Sequence, residues 1–415
     1  MNEVRNLLIG VELSERSAQL CYYDRRLKEP VSVPMRVGTN LYAFPMMLVK
    51  LPGKDEWRIG FEAEYFRSKE GGIAAPNPYL AACRGECVQV DGRTMTAEEL
   101  LASFLRETLR LLGVPNPVLL ASGIGIVCEI LTATLSDVIR KALLLLGFRP
   151  GQCFLADKGE SFFYYCYSQK PDVYVRSLAL IRFFGDEVTF AEMSENRSVR
   201  PHTSEFKEAK RAVLPTDPQA RDEAFYEHVI NWTGETSFSG IFLTGEGFGT
   251  DWAKLSLKAL SKASTHVFEG DNLFAKGACY MAYELLEGQG FRGRLYLGPS
   301  LIRSTLALDV IEGSQQQVLT LIEAGRSCYA GDVECDLILD GRQELLIKTK
   351  RHGEKDFRME ILELEGLPER PRRTTRLHLE LHCPDETRCV LTAEDLGFGE
   401  LFEATHLKWS REIQL

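Results

Sequence analysis

Apolar and polar residues follow different patterns in the two parts of the chain. From the N-terminus to about residue 290, runs typical of strands alternate with runs at helical spacing. Residues 6–24 predict two strands joined by a turn, and residues 96–113 predict a helix in which Thr96 and Glu99 form a capping box. Other segments predicted in this way are strands within 28–60 and at 117–127, a strand entering an aromatic helix at 152–168, paired strands at 177–195, and helices at 131–148, 218–232 and 272–286.

Beyond about Arg294, apolar and polar residues alternate with period two and no long helical pattern intervenes. We interpret this part as a β-sandwich of roughly a hundred residues. The stretch 290–303 is rich in glycine, which indicates a linker. We therefore expect a first domain at 1–292, a linker at 293–303 and a β domain at 304–415. The alternating runs are STLALDVI, QQVLTLIEAG, CDLILDG, QELLIKTKRHG, FRMEILELEG, RLHLELHC and RCVLTAED.

A glycine-rich stretch, SGIFLTGEGFGTDWAKLSLKAL (239–260), joins a strand pattern to a helical one. Gly245, Gly247 and Gly249 are typical of a loop that lies against a ligand, either a phosphate or a nucleoside, but they also suit a tight turn without a ligand. A dinucleotide fingerprint is excluded, because that motif follows the first strand of its domain. The helix at 272–286 carries small residues, which we expect to let another backbone pass close by.

The charge of the chain limits its partners. The net charge is −10 and the isoelectric point is near 5.4, so nucleic acid is not expected as the main partner. No run reaches the roughly 18 apolar residues of a membrane helix, and the N-terminus lacks the pattern of a signal peptide. We expect a cytoplasmic protein of bacterial type without membrane association.

Cysteine and histidine positions give little sign of a metal site. The eleven cysteines are scattered, and reduced thiols are the simplest expectation. His378, His382 and Cys383 lie together in HLELHC, but alternation there favours a strand with both histidines on one face over a metal site.

The order of elements before residue 290 suggests two related halves, each opening with a β-hairpin. Such a duplicated α/β body binds ligands in the cleft between its lobes. In this order of elements the sequence resembles the actin-like ATPase superfamily, and most closely the seventy-kilodalton heat-shock chaperones of the DnaK type. The segments that carry the resemblance are IGVELSERSA (9–18), VDGRTMTAEELLASFLRETLRLLG (90–113), LALIRFFGDEVTFAEM (178–193), IFLTGEGFG (241–249) and FEGDNLFAKGACYMAYE (268–284).

The segment 357–401 adds a second match, because it resembles the β substrate-binding domain of those chaperones. Sugar kinases, actins and division filament proteins share the nucleotide fold but lack this sandwich. The resemblance implies a peptide or protein partner bound through the β domain, with a cochaperone as a further candidate partner. Because the chain ends soon after the sandwich, we expect no helical lid.

The resemblance implies a fold class and a cofactor. The fold would be a duplicated α/β actin-like ATPase (ribonuclease H-like) domain followed by an all-β sandwich, and the cofactor would be ATP or ADP with Mg²⁺. The candidate catalytic residues are Glu12, Asp157 and Asp186, of which Glu12 and Asp157 are also candidates to hold Mg²⁺ through water. The candidate nucleotide-binding residues are Gly10, Glu12, Ser14, Arg16, Gly185, Gly245, Gly247, Phe248 and Gly249.

The chain departs from the family at the phosphate-binding positions. Glu12 stands for an Asp, and Glu15 and Arg16 replace two threonines; Glu15 would repel a polyphosphate, whereas Arg16 could bind it. Arg182 falls where the second hairpin has its catalytic Asp, with Asp186 as the substitute if the hairpin is shifted. The chain differs from the family in three further ways. Asp157 stands in place of a Glu, and the glycine run is reduced to Gly185. After residues 60–85 there is no lysine at the position of the family's catalytic lysine.

The second lobe is also short, since only about fifty residues separate Met193 from Ile241. Within them, 206–214 faintly resembles the adenine-contacting helix of the family, but we favour an exposed amphipathic turn for this segment. Hydrolysis needs a metal and a group that positions water. We therefore expect weak or absent ATP hydrolysis.

Three functions follow from these observations. The first is a chaperone-type protein that binds peptide or a protein partner, with ATP or ADP in its cleft. The second is a non-catalytic interaction scaffold, a pseudo-ATPase that no longer binds nucleotide. The third is an active phosphotransferase of the same fold, which would leave the sandwich unexplained.

Overall fold

The computed structural model describes residues 6–36, 38–234, 236–261, 265–288, 291 and 293–415. Contacts divide the chain into two compact units: unit 1 comprises residues 1–196 and 204–294, and unit 2 comprises residues 197–203 and 295–415. Residue 292, the predicted end of the first domain, lies outside the described residues, as do residues 1–5. The sequence pattern gave no sign that 197–203 belongs with the C-terminal part.

The first half of unit 1 is built around a mixed sheet. Its strands are β1 (Leu7–Leu13), β2 (Ser17–Asp24), β3 (Glu29–Ser32), β4 (Phe44–Pro45), β5 (Leu48–Lys50), β6 (Trp57–Ile59), β7 (Ile73–Ala74), β8 (Val88–Val90), β9 (Arg93–Met95), β10 (Ala121–Cys128) and β11 (Cys153–Asp157). The main sheet, hereafter the first sheet, has the order β11-β10-β1-β2-β3. In it, β1 is antiparallel to β2 and parallel to β10, which is parallel to β11.

The second half of unit 1 repeats this order. Its strands are β12 (Ser177–Phe184), β13 (Glu187–Asn196), β14 (His202–Val213), β15 (Phe238–Glu246) and β16 (His266–Glu269). Five neighbouring strands of the second sheet run β16-β15-β12-β13-β14, and β12 is antiparallel to β13 and parallel to β15. Each half therefore places its opening hairpin and its following parallel strands at equivalent positions.

Helices connect these strands. They are α1 (Gly60–Lys69), α2 (Pro78–Arg84), α3 (Ala97–Arg110), α4 (Pro117–Leu120), α5 (Ala133–Leu146), α6 (Lys158–Tyr167), α7 (Pro218–Thr233), α8 (Lys254–Leu260) and α9 (Leu273–Leu286). The predicted capping box is confirmed, because the Thr96 hydroxyl accepts a hydrogen bond from the Glu99 backbone N–H and the Glu99 side chain bonds the Thr96 N–H. Within the described residues, no helix is long and apolar enough to cross a membrane.

Two local predictions for unit 1 are wrong. Residues 206–213 belong to β14 and are neither a helix nor an exposed turn, because pairing within the second sheet overrides the helical spacing of the apolar residues. The predicted strand at 117–127 begins with the short helix α4 and becomes extended only at Ala121. Helices α1 and α2 had no counterpart among the predicted elements.

Unit 2 consists of two antiparallel sheets that share one apolar core. After β17 (Arg294–Tyr296), its strands are β18 (Ser304–Glu312), β19 (Gln315–Ile322), β20 (Val333–Ile338), β21 (Glu344–Arg351), β22 (Arg358–Glu363), β23 (Arg376–Asp385), β24 (Arg388–Asp395) and β25 (Lys408–Gln414). The sheet orders are β19-β18-β21-β22 and β20-β23-β24-β25. All seven alternating runs named from the sequence are strands, whereas β25 was not predicted.

A buried ion pair fixes one end of the unit 2 core. Asp395, fully buried, accepts two hydrogen bonds from Arg370, at 2.8 and 2.9 Å, and further ones from the Thr405 hydroxyl and the Gly397 backbone. Burial opposes ionisation of Asp395, but these hydrogen bonds outweigh it and lower the pKa of its carboxyl. The pair therefore remains charged and holds the loop from Gly397 to Thr405 on the end of β24.

The histidines of β23 lie on one face of the strand, as predicted. Nδ1 of His378 is 2.8 Å from Asp336 Oδ1, and Nδ1 of His382 is 2.7 Å from Asp332 Oδ1. Each histidine thus has its own carboxylate partner. The eleven cysteines, all within the described residues, form no disulfide.

Helix α9 packs against its neighbours at backbone distance. A Cβ on Gly10 of β1 would overlap the carbonyl oxygen of Ala275, and one on Gly125 of β10 would overlap that of Ala278. On the other side of the helix, a Cβ on Gly277 would overlap the carbonyl oxygen of Ser161 in α6. The predicted close approach of another backbone is confirmed, and α9 makes it on two sides.

This packing predicts an unusual sign for a glycine substitution. In an ordinary helix interior, Gly→Ala stabilises by about 1 kcal/mol through helix propensity. For Gly277→Ala we expect instead a loss of about 1–3 kcal/mol in the free energy of unfolding, because the added methyl forces α9 and α6 apart. Urea denaturation measures the change.

Gly151→Ala is the matched control, since Gly151 has nothing near the position of a Cβ. It should change the free energy of unfolding by no more than about 0.5 kcal/mol. A Gly277→Ala protein as stable as the parent would contradict the proposed packing.

Candidate functional site

Four charged residues meet where the two sheets of unit 1 approach each other. Glu12 is the penultimate residue of β1, Glu129 directly follows β10, and Lys158 is the first residue of α6 after β11. Since β1, β10 and β11 are parallel, their carboxyl ends lie at the same edge of the first sheet. Arg182 reaches the cluster from β12 of the second sheet. We call these four residues the cleft cluster.

The cleft cluster is a continuous chain of ion pairs. Lys158 Nζ lies 3.1 Å from Glu12 Oε1 and 2.9 Å from Glu129 Oε2. Arg182 donates to both oxygens of Glu129, at 2.7 and 2.8 Å. This fork-on-fork geometry is the strongest that a guanidinium makes with a carboxylate. Glu129 therefore ties a residue of the second sheet to a residue of α6.

An aromatic ring supports both cations. Lys158 Nζ lies 4.6 Å from the centroid of the Phe274 ring, and the Arg182 guanidinium carbon lies 5.4 Å from it. Phe184 covers the same guanidinium at 4.7 Å. Cation–π contacts of this kind stabilise cations that have lost part of their hydration. Phe274 sits in the first turn of α9, so α9 fixes where the charges stand.

Glu129 is the accessible member of the cleft cluster. Its side chain is 44% exposed, whereas the side chains of Lys158 and Arg182 are 10% and 6% exposed. Burial opposes ionisation of Glu129, but hydrogen bonds from Arg182 and the charge of Lys158 outweigh it and lower the pKa of its carboxyl to about 2. Glu129 thus covers two buried cations with a carboxylate that stays charged.

Glu12 is the buried carboxylate of the cleft cluster. Among the described residues, its Oε2 has no hydrogen-bond partner, although Oε1 binds Lys158. A buried carboxylate oxygen without a partner is costly. Of the residues predicted to bind Mg²⁺, Glu12 is the one placed in the cleft cluster.

Asp157, the other predicted Mg²⁺ residue, has a structural role. It is the N-cap of α6, and its Oδ1 accepts a hydrogen bond from the Glu160 backbone N–H at 2.8 Å. Burial raises the pKa of its carboxyl. Among the described residues, no three His, Cys, Asp or Glu side chains are grouped as a metal site requires.

The first hairpin turn, between β1 and β2, is closed by its own side chains. The Ser14 hydroxyl accepts from the Ser17 backbone N–H at 3.0 Å and donates to the Ser17 carbonyl at 2.8 Å. Glu15 and Arg16 at the turn are exposed, and in the described part of the chain the Arg16 guanidinium has no ion pair. Gly10, one of the predicted nucleotide-binding residues, lies against α9.

The second hairpin turn, between β12 and β13, is held by Arg221 of α7. The Arg221 guanidinium donates to Asp186 Oδ1 at 2.7 Å, to the Gly185 carbonyl, and to the Gly247 carbonyl at 3.3 Å. It also lies 4.9 Å from the Trp252 ring centroid. Asp186, the predicted substitute for the catalytic Asp, is therefore engaged in an ion pair that joins the hairpin to the glycine loop.

The glycine loop itself packs on this hairpin. Gly245 and Gly247 have φ of +100° and +104°, and a Cβ on either would overlap a carbonyl oxygen of β12 or its turn, at Phe183 and Gly185. The Gly185 N–H donates to the Glu246 carbonyl at 2.8 Å. A backbone-to-backbone contact therefore requires glycine at both positions.

The remaining residues of the loop pack in the same way. Phe248 lies 5.2 Å from Phe183 and 6.0 Å from Trp252, measured between ring centroids, at the edge of the apolar core of the second half. The Gly249 carbonyl accepts from the Ala253 N–H at 3.2 Å. That these residues also contact a nucleoside stays a prediction.

Three residues that define this region were not predicted from the sequence: Glu129, Lys158 and Arg221. Two had a local signal, because Glu129 ends the apolar run of β10 and Lys158 follows the predicted Asp157. Charged residues at the carboxyl ends of neighbouring parallel strands lie close together. Arg221 had no such signal, since a helix at 218–232 does not reveal which loop it reaches.

The lowered pKa of Glu129 predicts a pH-dependent stability. Its carboxyl has a folded pKa of about 2 against an ordinary value of 4.5, so its contribution is present above pH 4.5 and is lost as the pH falls toward 2. At pH 7 we expect Glu129→Gln to lower the free energy of unfolding by about 1–2 kcal/mol, after allowance for solvent screening.

Urea unfolding at several pH values between about 7 and 3 measures this, and the difference between parent and variant should shrink toward the acid end. Glu62→Gln is the control, because the Glu62 side chain is 75% exposed and lies 3.8 Å from its partner Arg58. A deficit that did not depend on pH would show that the charge of Glu129 is not what stabilises the fold.

Comparison with known families gives two matches. Residues 301–415 match a domain described as "Domain of unknown function (DUF8552)". No match is found among curated proteins. Residues 29–299 match the family described as "Family of unknown function (DUF5716) C-terminal". Since this match covers well over half of the 415 residues, the chain belongs to the DUF5716 family of unknown function.

Proposed function

We propose that this chain is a pseudo-ATPase: a heat-shock-70-like interaction protein whose unit 1 has the actin-like, ribonuclease H-like fold and whose cleft is closed by its own ion pairs. In this proposal unit 1 is a scaffold and unit 2 binds a protein partner. The repeated strand order of the two halves supports the fold assignment, because a duplicated sheet with an opening hairpin in each half is what the resemblance implies.

The observation that carries the proposal is the position of Glu129. Its carboxylate holds Arg182 through two hydrogen bonds and Lys158 through an ion pair, and these are the groups that would otherwise attract a phosphate. A nucleotide phosphate must displace this carboxylate before it gains the same contacts. Because the exchange replaces one charge-assisted pair with another, little net affinity is left for the nucleotide.

The other candidate catalytic groups also have partners. Asp157 caps α6 and Asp186 binds Arg221. Hydrolysis needs a group that positions water and charges that stabilise the transferring phosphoryl group. Because both carboxylates already have hydrogen-bond partners, they support the expectation of weak or absent hydrolysis.

A binding surface for the partner is available in unit 2. Strand β19 is an edge of its sheet, and six of its eight residues are exposed, including Val318 at 57%. An edge strand offers unpaired backbone groups to an extended segment of another protein. Unit 2 would bind such a segment through backbone hydrogen bonds of β19 and through exposed apolar side chains of β18 and β19, among them Ile311.

One observation favours a second candidate function, nucleotide binding without hydrolysis. Glu129 is half exposed while the cations beneath it are buried, so the carboxylate can turn toward solvent without unfolding either sheet. An entering phosphate would then take its place on Lys158 and Arg182. In that case nucleotide binding and the position of Glu129 are coupled.

Nucleotide titration separates these functions. Thermal stability and phosphate release are followed for the parent, Glu129→Gln and Glu62→Gln with ATP, ADP and Mg²⁺. For a scaffold, millimolar nucleotide leaves the parent unchanged, and only Glu129→Gln gains stabilisation, because its two cations lose their carboxylate. Stabilisation of the parent without phosphate release favours the second candidate. Phosphate release that is abolished by Glu12→Gln or Asp186→Asn would refute the pseudo-ATPase proposal.

The partner surface has its own test. Fluorescence anisotropy measures binding of a labelled, permanently unfolded protein, and Val318→Asp should weaken it about tenfold by placing a charge in an apolar contact. Arg342→Asp is a control away from β19 that changes a side chain 71% exposed. Equal affinities for the parent and Val318→Asp would remove β19 from the binding surface.

A further inference from the structure

Unit 2 contains a cleft of about 400 Å³ that is separate from the cleft cluster. The segment 197–203 forms one wall, and the end of β21 with the turn that follows it forms the other. Arg200, Lys350 and Arg351 bring three cations to this cleft. Its volume lies within the range of pockets that hold small organic molecules.

The three cations lack neutralising partners. Among the described residues, none of Arg200, Lys350 and Arg351 forms an ion pair with a carboxylate. Glu354 also lines the cleft, but its Oε1 lies 3.4 Å from Arg358 and is thereby partly neutralised. Like charges brought together repel each other, so the arrangement favours an anion as the occupant.

The walls of the cleft are held in place independently of any ligand. His352 Nε2 lies 3.0 Å from the Pro201 carbonyl oxygen. The Val199 side chain lies so close to Gly353 that a Cβ there would be 3.0 Å from Val199 Cγ1. Gly353 has φ of +87°, a conformation that favours glycine. These contacts join the two walls, so the cations are positioned before a ligand arrives. Preorganisation of this kind reduces the cost of binding.

An aromatic and a hydroxyl complete the lining. The Phe357 ring is exposed, and Lys350 Nζ lies 5.1 Å from its centroid. Thr305 pairs with Lys350 in the register of β18 and β21, which places its hydroxyl beside the lysine on the same side of the sheet. The cleft therefore combines cations and a hydroxyl for an anionic head with a flat apolar surface for an organic body.

We propose that this cleft binds a small organic phosphate. Guanidinium groups match phosphate oxygens in pairs and a lysine adds a point charge, so three cations suit a group that carries two negative charges. A simple halide would leave most of the volume unused and would not contact Phe357. The proposal concerns unit 2 alone and does not depend on the function proposed for unit 1. Stabilisation by a nucleotide that Lys350→Gln removes would belong to this cleft and not to the cleft cluster.

Isothermal titration calorimetry of the full chain with phenyl phosphate and with methyl phosphate tests the proposal. The expected result is saturable binding at one site, with phenyl phosphate bound several-fold more tightly because its ring contacts Phe357. Phe357→Ala should remove that difference while methyl phosphate binding persists. Absence of saturable binding of either compound up to about 10 mM would overturn the proposal.

Charge variants locate the site. Lys350→Gln and Arg351→Gln should each weaken phenyl phosphate binding about tenfold or more. Lys355→Gln removes a charge from the same turn outside the cleft and should change the affinity less than about twofold. An equal loss in all three variants would mean that the phosphate senses only a general positive surface, and would overturn the proposal.

A variant of unit 1 separates this cleft from the first hairpin turn. Arg16→Gln changes an exposed side chain of that turn and should leave phenyl phosphate affinity unchanged. Loss of binding in Arg16→Gln together with retention in Lys350→Gln would place the phosphate in unit 1 and overturn the assignment. The altered side chains are at the surface, and the melting temperature of each variant checks that it folds.

Discussion

The architecture of unit 1 depends on how closely α9 lies against its neighbours. Gly10 and Gly125 let the backbone of α9 rest on β1 and β10, and Gly277 lets α6 rest on its other side. Hydrogen bonds lock the contact, since Ser161 Oγ donates to the Phe274 carbonyl at 2.7 Å and Gln19 Nε2 donates to the Asp271 carbonyl at 2.7 Å. The position of Phe274, and so of the two cations above it, follows from this contact.

The charges of the cleft cluster compensate one another across the two sheets. At Arg182 a cation stands where the resemblance implies a catalytic Asp, which would be unfavourable in a buried place without a partner. Glu129 supplies that partner from the other sheet, and Lys158 joins it to Glu12. Of the residues that depart from the resemblance, Glu12 and Arg182 thus belong to one arrangement, in which carboxylates of unit 1 neutralise both cations.

Local patterns predicted the elements well where a single physical rule decides them. The capping box at Thr96 and the alternating strands of unit 2 are settled by neighbouring residues, so the sequence was sufficient. At 206–214 the same rules failed, because pairing with other strands outweighs the spacing of apolar residues in a charged segment. Secondary structure of this kind depends on partners that are distant in sequence.

The candidate site was less predictable than the elements around it. The sequence indicated that the glycines of the loop lie close to other atoms. It does not show whether those atoms belong to a ligand or to a backbone carbonyl group, because both require the same residue. In this structure Gly245, Gly247 and Gly10 each lie against a backbone carbonyl oxygen. The pairing of Glu129 with Arg182 spans 53 positions and two sheets. It becomes visible only when the fold brings those strands together.

The assignment of residues 197–203 to unit 2 affects how the chain can be divided. These seven residues directly follow β13 and include the first two residues of β14, so the chain on both sides of them belongs to unit 1. Within unit 2, Val199 and Pro201 meet Gly353 and His352. A fragment covering 301–415 alone would lack one wall of its own cleft. During synthesis that wall is made about 150 residues before its counterpart. Unit 2 is thus a domain in space that no single cut of the polypeptide can isolate.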